Sequence, residues 1–208
     1  MILTHPRIHS SAVVEHGVEI GNGTSIWDNV HIRRDTSLGI DCIVGEKTYI
    51  AYGVTIGNRV KINAFVYICA GVTLQDGVMI SAGTVFTNDR FPRATDPTLT
   101  RLRPSDPDES TRMTLVKNGA TIGANCTIGS DLSIGAFAMV GMGTVVTKSV
   151  PDFHLVVGNP ARSVACVCRC GELLERFDVS HGVPNRSCEC LACGRTYEIK
   201  AGHVTECM

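Results

Sequence analysis

Large apolar residues recur at every sixth position over the first 86 residues of this 208-residue chain. The series comprises Ile8, Val14, Ile20, Ile26, Ile32, Leu38, Val44, Ile50, Ile56, Ile62, Ile68, Leu74, Ile80 and Phe86. A small or β-branched residue stands two positions before many of them: Ala12, Val18, Thr24, Val30, Thr36, Cys42, Thr48 and Val54. Residues two apart share one face of a strand, whereas a helix would bring apolar residues at intervals of three and four.

Residues that suit a tight corner follow many of these apolar positions by three. They are Gly17, Gly23, Asn29, Asp35, Asp41, Gly53, Gly71, Gly77 and Gly83. Gly, Asn and Asp tolerate the positive φ that such a corner requires. A six-residue unit of one short strand and one corner is a rung of a β-helix, and three rungs make one triangular coil. The repeat therefore predicts an all-β chain folded as a parallel β-helix.

The series stops after Phe86 and resumes at Val116, Ile122, Ile128, Ile134, Val140 and Val146, with corners at Gly119, Asn125, Asp131 and Gly143. The 29 residues between the two blocks, 87–115, are polar and interrupted by proline. A loop of this length inside a compact fold is usually functional. We therefore predict a β-helix domain over 1–165, with an inserted loop at 87–115 and a cap at about 150–165.

Seven of the ten cysteines lie after residue 165. Cys168 and Cys170 form one short pair, Cys190 and Cys193 form another, and a glycine follows each pair. Such pairs are typical of the two knuckles of a zinc ribbon, and four thiolates leave no open position for catalysis. We predict a small zinc-ribbon module at 166–208 that holds a structural Zn²⁺. One alternative is that Cys188 replaces Cys190 as a ligand. Another is that the cysteines form a redox-active or disulfide cluster instead of a metal site.

In a triangular coil, residues eighteen apart lie above one another. One outward column then contains Val13, His31, Tyr49, Tyr67 and Val85, and the next position along contains Glu15, Arg33, Ala51, Cys69 and Thr87. Aromatic and charged residues stacked beneath a long loop predict a cleft. A contact face between subunits is the alternative interpretation, and the two are compatible because a site can lie between subunits.

The composition excludes several classes of protein. A net charge of −1 gives no basic patch for nucleic acid. The sequence has no apolar run of about 18 residues, so no membrane span is expected. The first seven residues lack the features of a secretion signal, which leads us to expect a cytoplasmic protein.

Three segments carry a resemblance to a known family: VFTNDRFPRA, TLVKNGATIGANCTIG and VVTKSVPDFHLVVGNPAR. Together with the rungs they resemble left-handed β-helix acyltransferases. More narrowly, they resemble the bacterial N-acetyltransferases that act on nucleotide-linked 3-amino sugars. The resemblance covers about residues 8–165. It implies a left-handed coil and a homotrimer in which acetyl-CoA and the sugar nucleotide meet between neighbouring subunits.

Asn88 is the principal catalytic candidate, since the resemblance implies that this residue lies near the thioester sulfur and the reacting amine. The structural alternative is a turn Asn that bonds its own backbone. The chain has no histidine between His31 and His154, so the loop offers none as a general base. A neutral amine attacks a thioester without prior deprotonation, and positioning then supplies much of the rate. His31 is the second candidate, as a substrate ligand or a distant proton acceptor.

The candidate substrate-binding residues lie on the rungs and at the start of the loop: Glu15, Trp27, Asp28, Arg33, Tyr49, Tyr67, Asp89, Arg90 and Arg93. Arginines suit a diphosphate or a carboxylate because they bind both in a bidentate manner. The family often has Trp-His where this chain has Trp27-Asp28, so the identity of the nucleotide or sugar is left open. For coenzyme A, the resemblance points to backbone groups at Ala138, Gly141 and Gly143, with Lys148 and Arg162 meeting the phosphates.

We therefore expect an enzyme that transfers acetyl from acetyl-CoA to the amino group of a dTDP- or UDP-linked 3-amino-3-deoxy sugar, without an essential protein base. A 4-amino sugar or another small-molecule acceptor is the alternative within the same class. The alternative from another class is a non-catalytic trimeric scaffold whose zinc ribbon binds a partner.

Overall fold

A computed structural model describes residues 5–109, 111–177 and 185–207. The strands are numbered β1 to β26 in chain order, and β1 to β20 form three parallel sheets that are the faces of a triangular prism. The first face contains β1 (Arg7–Ile8), β4 (Ser25–Ile26), β7 (Ile43–Val44), β10 (Lys61–Ile62), β13 (Met79–Ile80), β16 (Thr121–Ile122) and β19 (Met139–Val140). The second face contains β2 (Val13–Val14), β5 (His31–Ile32), β8 (Tyr49–Ile50), β11 (Tyr67–Ile68), β14 (Val85–Phe86), β17 (Thr127–Ile128) and β20 (Val145–Val146).

The third face contains β3 (Glu19–Ile20), β6 (Ser37–Leu38), β9 (Thr55–Ile56), β12 (Val72–Leu74), β15 (Thr114–Val116) and β18 (Leu132–Ile134). Within each block of repeats, paired residues are eighteen apart, as in Ser25 opposite Ile43. The described residues form no helix, so the all-β prediction is confirmed, as is the left-handed parallel β-helix. Accordingly, the described residues contain no helix that is long and apolar enough to cross a membrane.

The sixfold apolar series forms the core of the prism. Ile32, Ile50, Ile62 and Ile68 are completely buried, and so are their counterparts after the loop, such as Ile122. Every predicted Gly, Asn or Asp corner has a positive φ. The same conformation occurs at the corner positions Lys47, Arg59, Phe65 and Phe137, where the residue type gives no signal. There the hydrogen bonds between coils hold a conformation that these residues rarely adopt alone.

A ladder of buried hydroxyl and thiol groups runs inside the prism. Several inward Thr and Cys side chains donate to the carbonyl fifteen residues later, in the coil above. The bonds run from Thr24 to Gly39, Thr36 to Ala51, Thr48 to Asn63, Cys42 to Gly57 and Cys126 to Gly141. Cys42 and Cys126 are therefore core residues, as the sequence predicts. The ladder also explains why small polar residues are tolerated in the core.

The inserted loop leaves the second face after β14 and returns at β15. Part of it is folded as a small antiparallel turn with a bridge between Thr95 and Leu102. The Asp96 carboxylate accepts hydrogen bonds from the Thr100 backbone and the Thr98 hydroxyl. The backbone bond from Thr100 is the main cause that lowers the pKa of Asp96. The loop thus carries its own local structure.

The last strands extend the first face into an antiparallel arrangement. They are β21 (His154–Val157), β22 (Arg162–Val167) and β23 (Leu173–Arg176), and β21 pairs in parallel with β19. A separate antiparallel sheet follows, with β24 (Arg186–Glu189), β25 (Thr196–Lys200) and β26 (His203–Glu206). The predicted boundary between residues 165 and 166 falls inside β22. The predicted division into two domains stays a prediction.

The buried ladder yields a matched pair of substitutions. Thr36 donates to Ala51 O at 3.0 Å, whereas the equally buried Thr144 hydroxyl has no partner within the described part of the chain. We expect Thr36→Val to lower the free energy of unfolding by about 1–3 kcal/mol, because a buried carbonyl loses its donor. Thr144→Val should be neutral or stabilising. The measurement is the urea midpoint of each variant, and equal losses would contradict the ladder's role.

Candidate functional site

The predicted outward column is present on the second face. Val13 pairs with His31, His31 with Tyr49, Tyr49 with Tyr67, and Tyr67 with Val85. The Tyr49 and Tyr67 rings are stacked, with centroids 5.3 Å apart and planes 5° from parallel. The eighteen-residue register therefore builds an aromatic surface from residues on three successive coils.

A cleft of about 580 Å³ lies between this surface and the inserted loop. The edge of the prism between the second and third faces, here called the second edge, forms its floor. The polar and aromatic residues that line it include Arg33, Tyr49, Tyr52, Tyr67, Asn88, Asp89, Arg93, Arg103 and Asp106. The coils contribute the cation Arg33 and the loop contributes both cations and carboxylates, so the cleft is polar and suits a charged ligand.

Arg33 is held in place at the floor of the cleft. Its Nε lies 2.6 Å from the Glu15 carboxylate, and its Nη1 donates to the Tyr49 hydroxyl at 2.7 Å. Its other terminal nitrogen donates to the Tyr52 hydroxyl. The Tyr52 ring is also flanked by the guanidinium groups of Arg33 and Arg34, at 4.0 and 4.4 Å. These contacts fix the guanidinium before any ligand arrives.

Glu15 joins Arg33 to His31. Its carboxylate lies 2.9 Å from the His31 Nε2 and accepts a hydrogen bond from the Arg34 backbone at 3.0 Å. Removal from water acts to raise the pKa of the Glu15 carboxyl. The hydrogen bonds from Arg34 and His31 and the charge of Arg33 outweigh it and lower this pKa below its usual 4.5. The Glu15 carboxyl is therefore ionised at neutral pH and balances the charge of Arg33.

Asn88 lies where the strand gives way to the loop. Thr87, just before it, still bonds Ile128 of the next coil through its backbone N–H at 2.9 Å. The Asn88 Nδ2 donates to Ala70 O at 3.4 Å, which leaves the amide oxygen available on the cleft side. The residue predicted as the main catalytic candidate thus borders the cleft with an unengaged acceptor.

Several predicted site residues lie outside the cleft of the same chain. Glu15 is one coil below Arg33 and contacts it, and His31, two residues before Arg33 on the same coil, contacts Glu15. Trp27 is half exposed at the edge between the first and second faces, here called the first edge, and Asp28 follows it there. Arg90 stacks on Phe91, with its guanidinium carbon 5.5 Å from the ring centroid. Only Arg33, Tyr49, Tyr67, Asn88, Asp89 and Arg93 of the candidates line the cleft.

The candidates for coenzyme A are distributed over the later coils. Gly141 and Gly143 lie on the first edge, and Ala138 is buried. All three N–H groups already donate within the protein, to Val156, Ala124 and Gly135 carbonyls respectively. Bonds from this segment to a pantetheine would therefore use carbonyl oxygens.

Lys148 is exposed on the second edge, beyond Asn88, because β14, β17 and β20 stack in register. Arg162 is exposed on β22 and donates to its neighbour's carbonyl, Ala161 O, at 2.9 Å. Both cations are open to solvent, but neither lines the cleft.

The four cysteines predicted as metal ligands lie together. The Sγ atoms of Cys168, Cys170, Cys190 and Cys193 are all within 4.8 Å of one another. Cys168 and Cys193 are 3.4 Å apart, and Cys170 and Cys190 are 3.6 Å apart. Sulfurs bound tetrahedrally at about 2.3 Å from zinc are about 3.8 Å apart, whereas a disulfide needs about 2.05 Å. The arrangement fits a shared metal ion, and it includes Cys190 instead of Cys188.

Cys69 is the one cysteine that borders the cleft among the described residues. Burial raises the pKa of its thiol to about 12. The thiol is therefore uncharged near neutral pH and is a poor nucleophile.

Three of the polar and aromatic residues named for the cleft were not predicted from the sequence: Tyr52, Arg103 and the loop residue Asp106. Tyr52 stands eighteen residues after Arg34 and therefore shares a column with Ala70 and Asn88, so the repeat itself contained the signal. Arg103 lies in the loop, where no periodicity predicts position.

Comparison with known families identifies the repeats in both blocks. Residues 53–88 match a family model described as "Bacterial transferase hexapeptide (six repeats)". Residues 35–70 and 118–148 match one described as "Hexapeptide repeat of succinyl-transferase". The matched segments lie on either side of the inserted loop.

Two curated relatives illustrate the range of similarity. The dTDP-3-amino-3,6-dideoxy-alpha-D-galactopyranose 3-N-acetyltransferase of Aneurinibacillus thermoaerophilus is 42% identical over 99 residues, which are 47% of this chain and 47% of that protein. Serine acetyltransferase 2 of Arabidopsis thaliana is 32% identical over 157 residues, 76% of this chain and 31% of that protein. The chain thus matches about half or less of the length of these relatives.

Among solved structures, a mutant of AntD, an N-acyltransferase from Bacillus cereus in complex with dTDP and coenzyme A, is similar with a TM-score of 0.53. The sequences are 23% identical, and the match covers 78% of this chain and 81% of that one. This similarity is one of fold.

The Glu15 network predicts a pH dependence. A carboxyl whose pKa is lowered by folding stabilises the protein above its unfolded pKa of about 4.5, and this contribution is lost as the pH falls through the folded pKa. At pH 7 the melting temperature of the wild type should therefore exceed that of Glu15→Gln. The difference between the two melting temperatures should become smaller below pH 4.5. The measurement is the melting temperature from pH 7 to 3, with Glu19→Gln as control. A gap that is constant with pH would contradict the network.

Proposed function

We propose that this chain is an acetyl-CoA-dependent N-acetyltransferase that acts on a nucleotide-linked 3-amino-3-deoxy sugar carried by dTDP or UDP. The observation that supports it best is a polar cleft between stacked coils and loop, with Asn88 at its rim and no imidazole among its lining residues. The segment similar to a dTDP-3-amino-sugar N-acetyltransferase supports the same class of acceptor.

The cleft suits an amine acceptor. A sugar amine is attracted as the ammonium ion by the Asp89 and Asp106 carboxylates, and it loses a proton to water before it reacts. The Asn88 amide oxygen accepts a hydrogen bond from the neutral amine and directs its lone pair toward the thioester. The nitrogen then bonds the acetyl carbon, the C–S bond breaks, and the proton lost from nitrogen ends on the coenzyme A thiolate. Positioning of this kind offsets about 7–11 kcal/mol of a barrier at most.

The cations of the cleft suit the diphosphate of the sugar nucleotide. Arg33 is already compensated by Glu15, so its role is to orient Tyr49 and Tyr52 as much as to bind charge. Arg93 and Arg103 reach the cleft from the loop. Within the described part of the chain, the Arg93 guanidinium donates to its neighbour's carbonyl, Pro92 O, at 2.9 Å, and its other donors suit phosphate oxygens.

The two sets of site residues support a homotrimer. The candidates that line the cleft border the second edge, whereas Gly141, Gly143 and the substrate candidate Trp27 lie on the first edge. Within one prism these edges are separated by the width of the second face. A second copy whose first edge lies beside this cleft would bring them together, with coenzyme A between the subunits.

The experiment is a panel of acceptors. The protein is incubated with acetyl-CoA and with dTDP- or UDP-linked 3-amino and 4-amino sugars, and release of thiol is followed. We expect turnover with a 3-amino sugar above the others. Preferred turnover of a 4-amino sugar would move the proposal to that acceptor. No turnover, together with no rise in melting temperature when acetyl-CoA is added, would favour the scaffold alternative.

Asn88 variants test the mechanism on the best acceptor. Asn88→Ala should lower kcat by about 100-fold, comparable to the loss of one group that positions a reacting centre. Asn88→Asp keeps an acceptor oxygen and should lose less. Asn22→Ala, an exposed corner asparagine on another edge, is the control. His31→Ala should have a partial effect, through Glu15 and Arg33. Full activity of Asn88→Ala would refute the role given to this residue.

We also propose that Cys168, Cys170, Cys190 and Cys193 bind one structural Zn²⁺. Their spacing fits tetrahedral coordination, and four sulfur ligands leave no site for a reacting water. When bound, the metal would supply a cross-link between the turn that follows β22 and the turn that precedes β25.

The metal content of purified protein tests this second proposal. We expect one zinc per chain in the wild type and in Cys207→Ser, which changes an exposed cysteine outside the cluster. Cys193→Ser should lose most of the zinc. The zinc content of each protein is measured by elemental mass spectrometry. Wild type without zinc, or Cys193→Ser with a full complement, would contradict the assignment.

A further inference from the structure

The end of the β-helix is an exposed edge that the chain has to cover. A parallel coil presents unpaired N–H and C=O groups along its last turn, and repeat proteins need a cap there. Here β21 pairs with β19 of the first face, and β22 and β23 continue outward in antiparallel pairing. At the third edge, between the third and first faces, the last corner ends at Phe153, whose carbonyl accepts a bond from Val167 of β22 at 2.8 Å, and the side chains of this edge need a cover of their own.

Aromatic rings cover that edge. Phe137 and Phe153 occupy successive corner positions on it, both with positive φ, and their rings stack with centroids 5.5 Å apart. Tyr197 of β25 packs edge-on against Phe153, with centroids 5.4 Å apart, and is completely buried. One continuous column of rings thus runs from the β-helix into the C-terminal module.

Tyr197 also contacts the four-cysteine cluster. Its hydroxyl lies 3.1 Å from the Cys168 Sγ and accepts a hydrogen bond from the Arg169 backbone at 3.0 Å. With that bond accepted, the hydroxyl is free to donate to the sulfur. The Arg169 guanidinium then lies over the Phe137 ring, 4.5 Å from its centroid. The hydroxyl of Tyr197 therefore touches a metal ligand, and its ring touches the end of the β-helix.

We propose that the metal site controls the cap of the β-helix: the bound ion fixes Cys168 and, through it, Tyr197, which closes the aromatic column at the third edge. This rests on the zinc binding proposed above and adds what the ion does for the rest of the molecule. Without the ion, the Cys168 and Cys190 segments lose their direct link and are joined by weaker contacts, such as the Arg169 backbone bond to Tyr197 and the ion pair of Arg169 with Glu206. Tyr197 then leaves Phe153, and the last coil is exposed to other chains.

A second contact joins the C-terminal module to the last coil and does not involve the four cysteines. The buried His154 of β21 has its Nε2 2.9 Å from Gly202 O, and its Nδ1 2.9 Å from the Ser163 hydroxyl. A carbonyl cannot donate, so Nε2 carries the proton and Nδ1 accepts from Ser163. Because this tie persists, loss of metal should loosen the third edge without releasing the whole module.

The test compares the full-length zinc-loaded protein with the same protein after removal of zinc by a chelator. Hydrogen exchange should become at least about tenfold faster at residues 132–140 and 154–157, while residues 43–68 in the middle of the prism stay unchanged. Sedimentation velocity should show larger species as uncovered ends associate. Quantitative zinc release without either change would overturn the cap but leave zinc binding intact. Absence of zinc from the starting protein would overturn both.

Two variants keep the test independent of misfolding. Tyr197→Phe keeps the ring and removes only the hydroxyl at Cys168. It should retain zinc but respond to the chelator much less at 132–140. Phe137→Leu breaks the column on the β-helix side and should speed exchange at 132–140 even with zinc bound. Phe65→Leu is the control, since Phe65 is also a corner phenylalanine with positive φ, far from the module. Wild-type behaviour of both test variants would refute the coupling.

Discussion

The hydrogen bonds between successive coils are the interaction on which the rest of this structure depends. Each strand of two or three residues is too short to be stable alone, and it exists because its N–H groups meet carbonyls of the coil above. These bonds form only if every coil contains the same number of residues. The long inserted loop is therefore confined to one corner, between β14 and β15. Once the register is fixed at eighteen residues, a side chain at any position becomes part of a column.

Columns explain how a repetitive fold makes a site. On the second edge, Arg34, Tyr52, Ala70 and Asn88 follow one another at intervals of eighteen, and Asn88 reaches back to the Ala70 carbonyl. Beside them, the Tyr49 and Tyr67 rings stack as the coils do. The loop leaves the prism at the top of these columns and forms the other wall. The cleft therefore combines rigid residues on the coils with adjustable ones on the loop.

The sequence predicts the features that follow from the six-residue repeat. The core, the glycine and asparagine corners and the column from Val13 to Val85 all follow from counting in sixes and eighteens. Corners at Phe65 and Phe137 were not predicted, because their conformation is imposed by hydrogen bonds between coils that are distant in sequence. Arg103 was not predicted because the loop has no repeat. The four-cysteine cluster was predicted because the ligand spacing of a metal site is local, whereas the contact of Tyr197 with Phe153 joins segments that no pattern connects.

The three edges of the prism have different roles. The second edge borders the cleft, the first edge carries the later glycines, and the third edge ends in the aromatic column beneath the cysteine cluster. The core between these edges consists mainly of buried isoleucines and valines, which pack as densely as an organic crystal. The four-cysteine cluster contacts the last coil through Tyr197 and Phe153, whereas Asn88 lies on another edge and on an earlier coil. The proposed effect of a metal on the end of the β-helix and the proposed chemistry of the cleft therefore involve different residues.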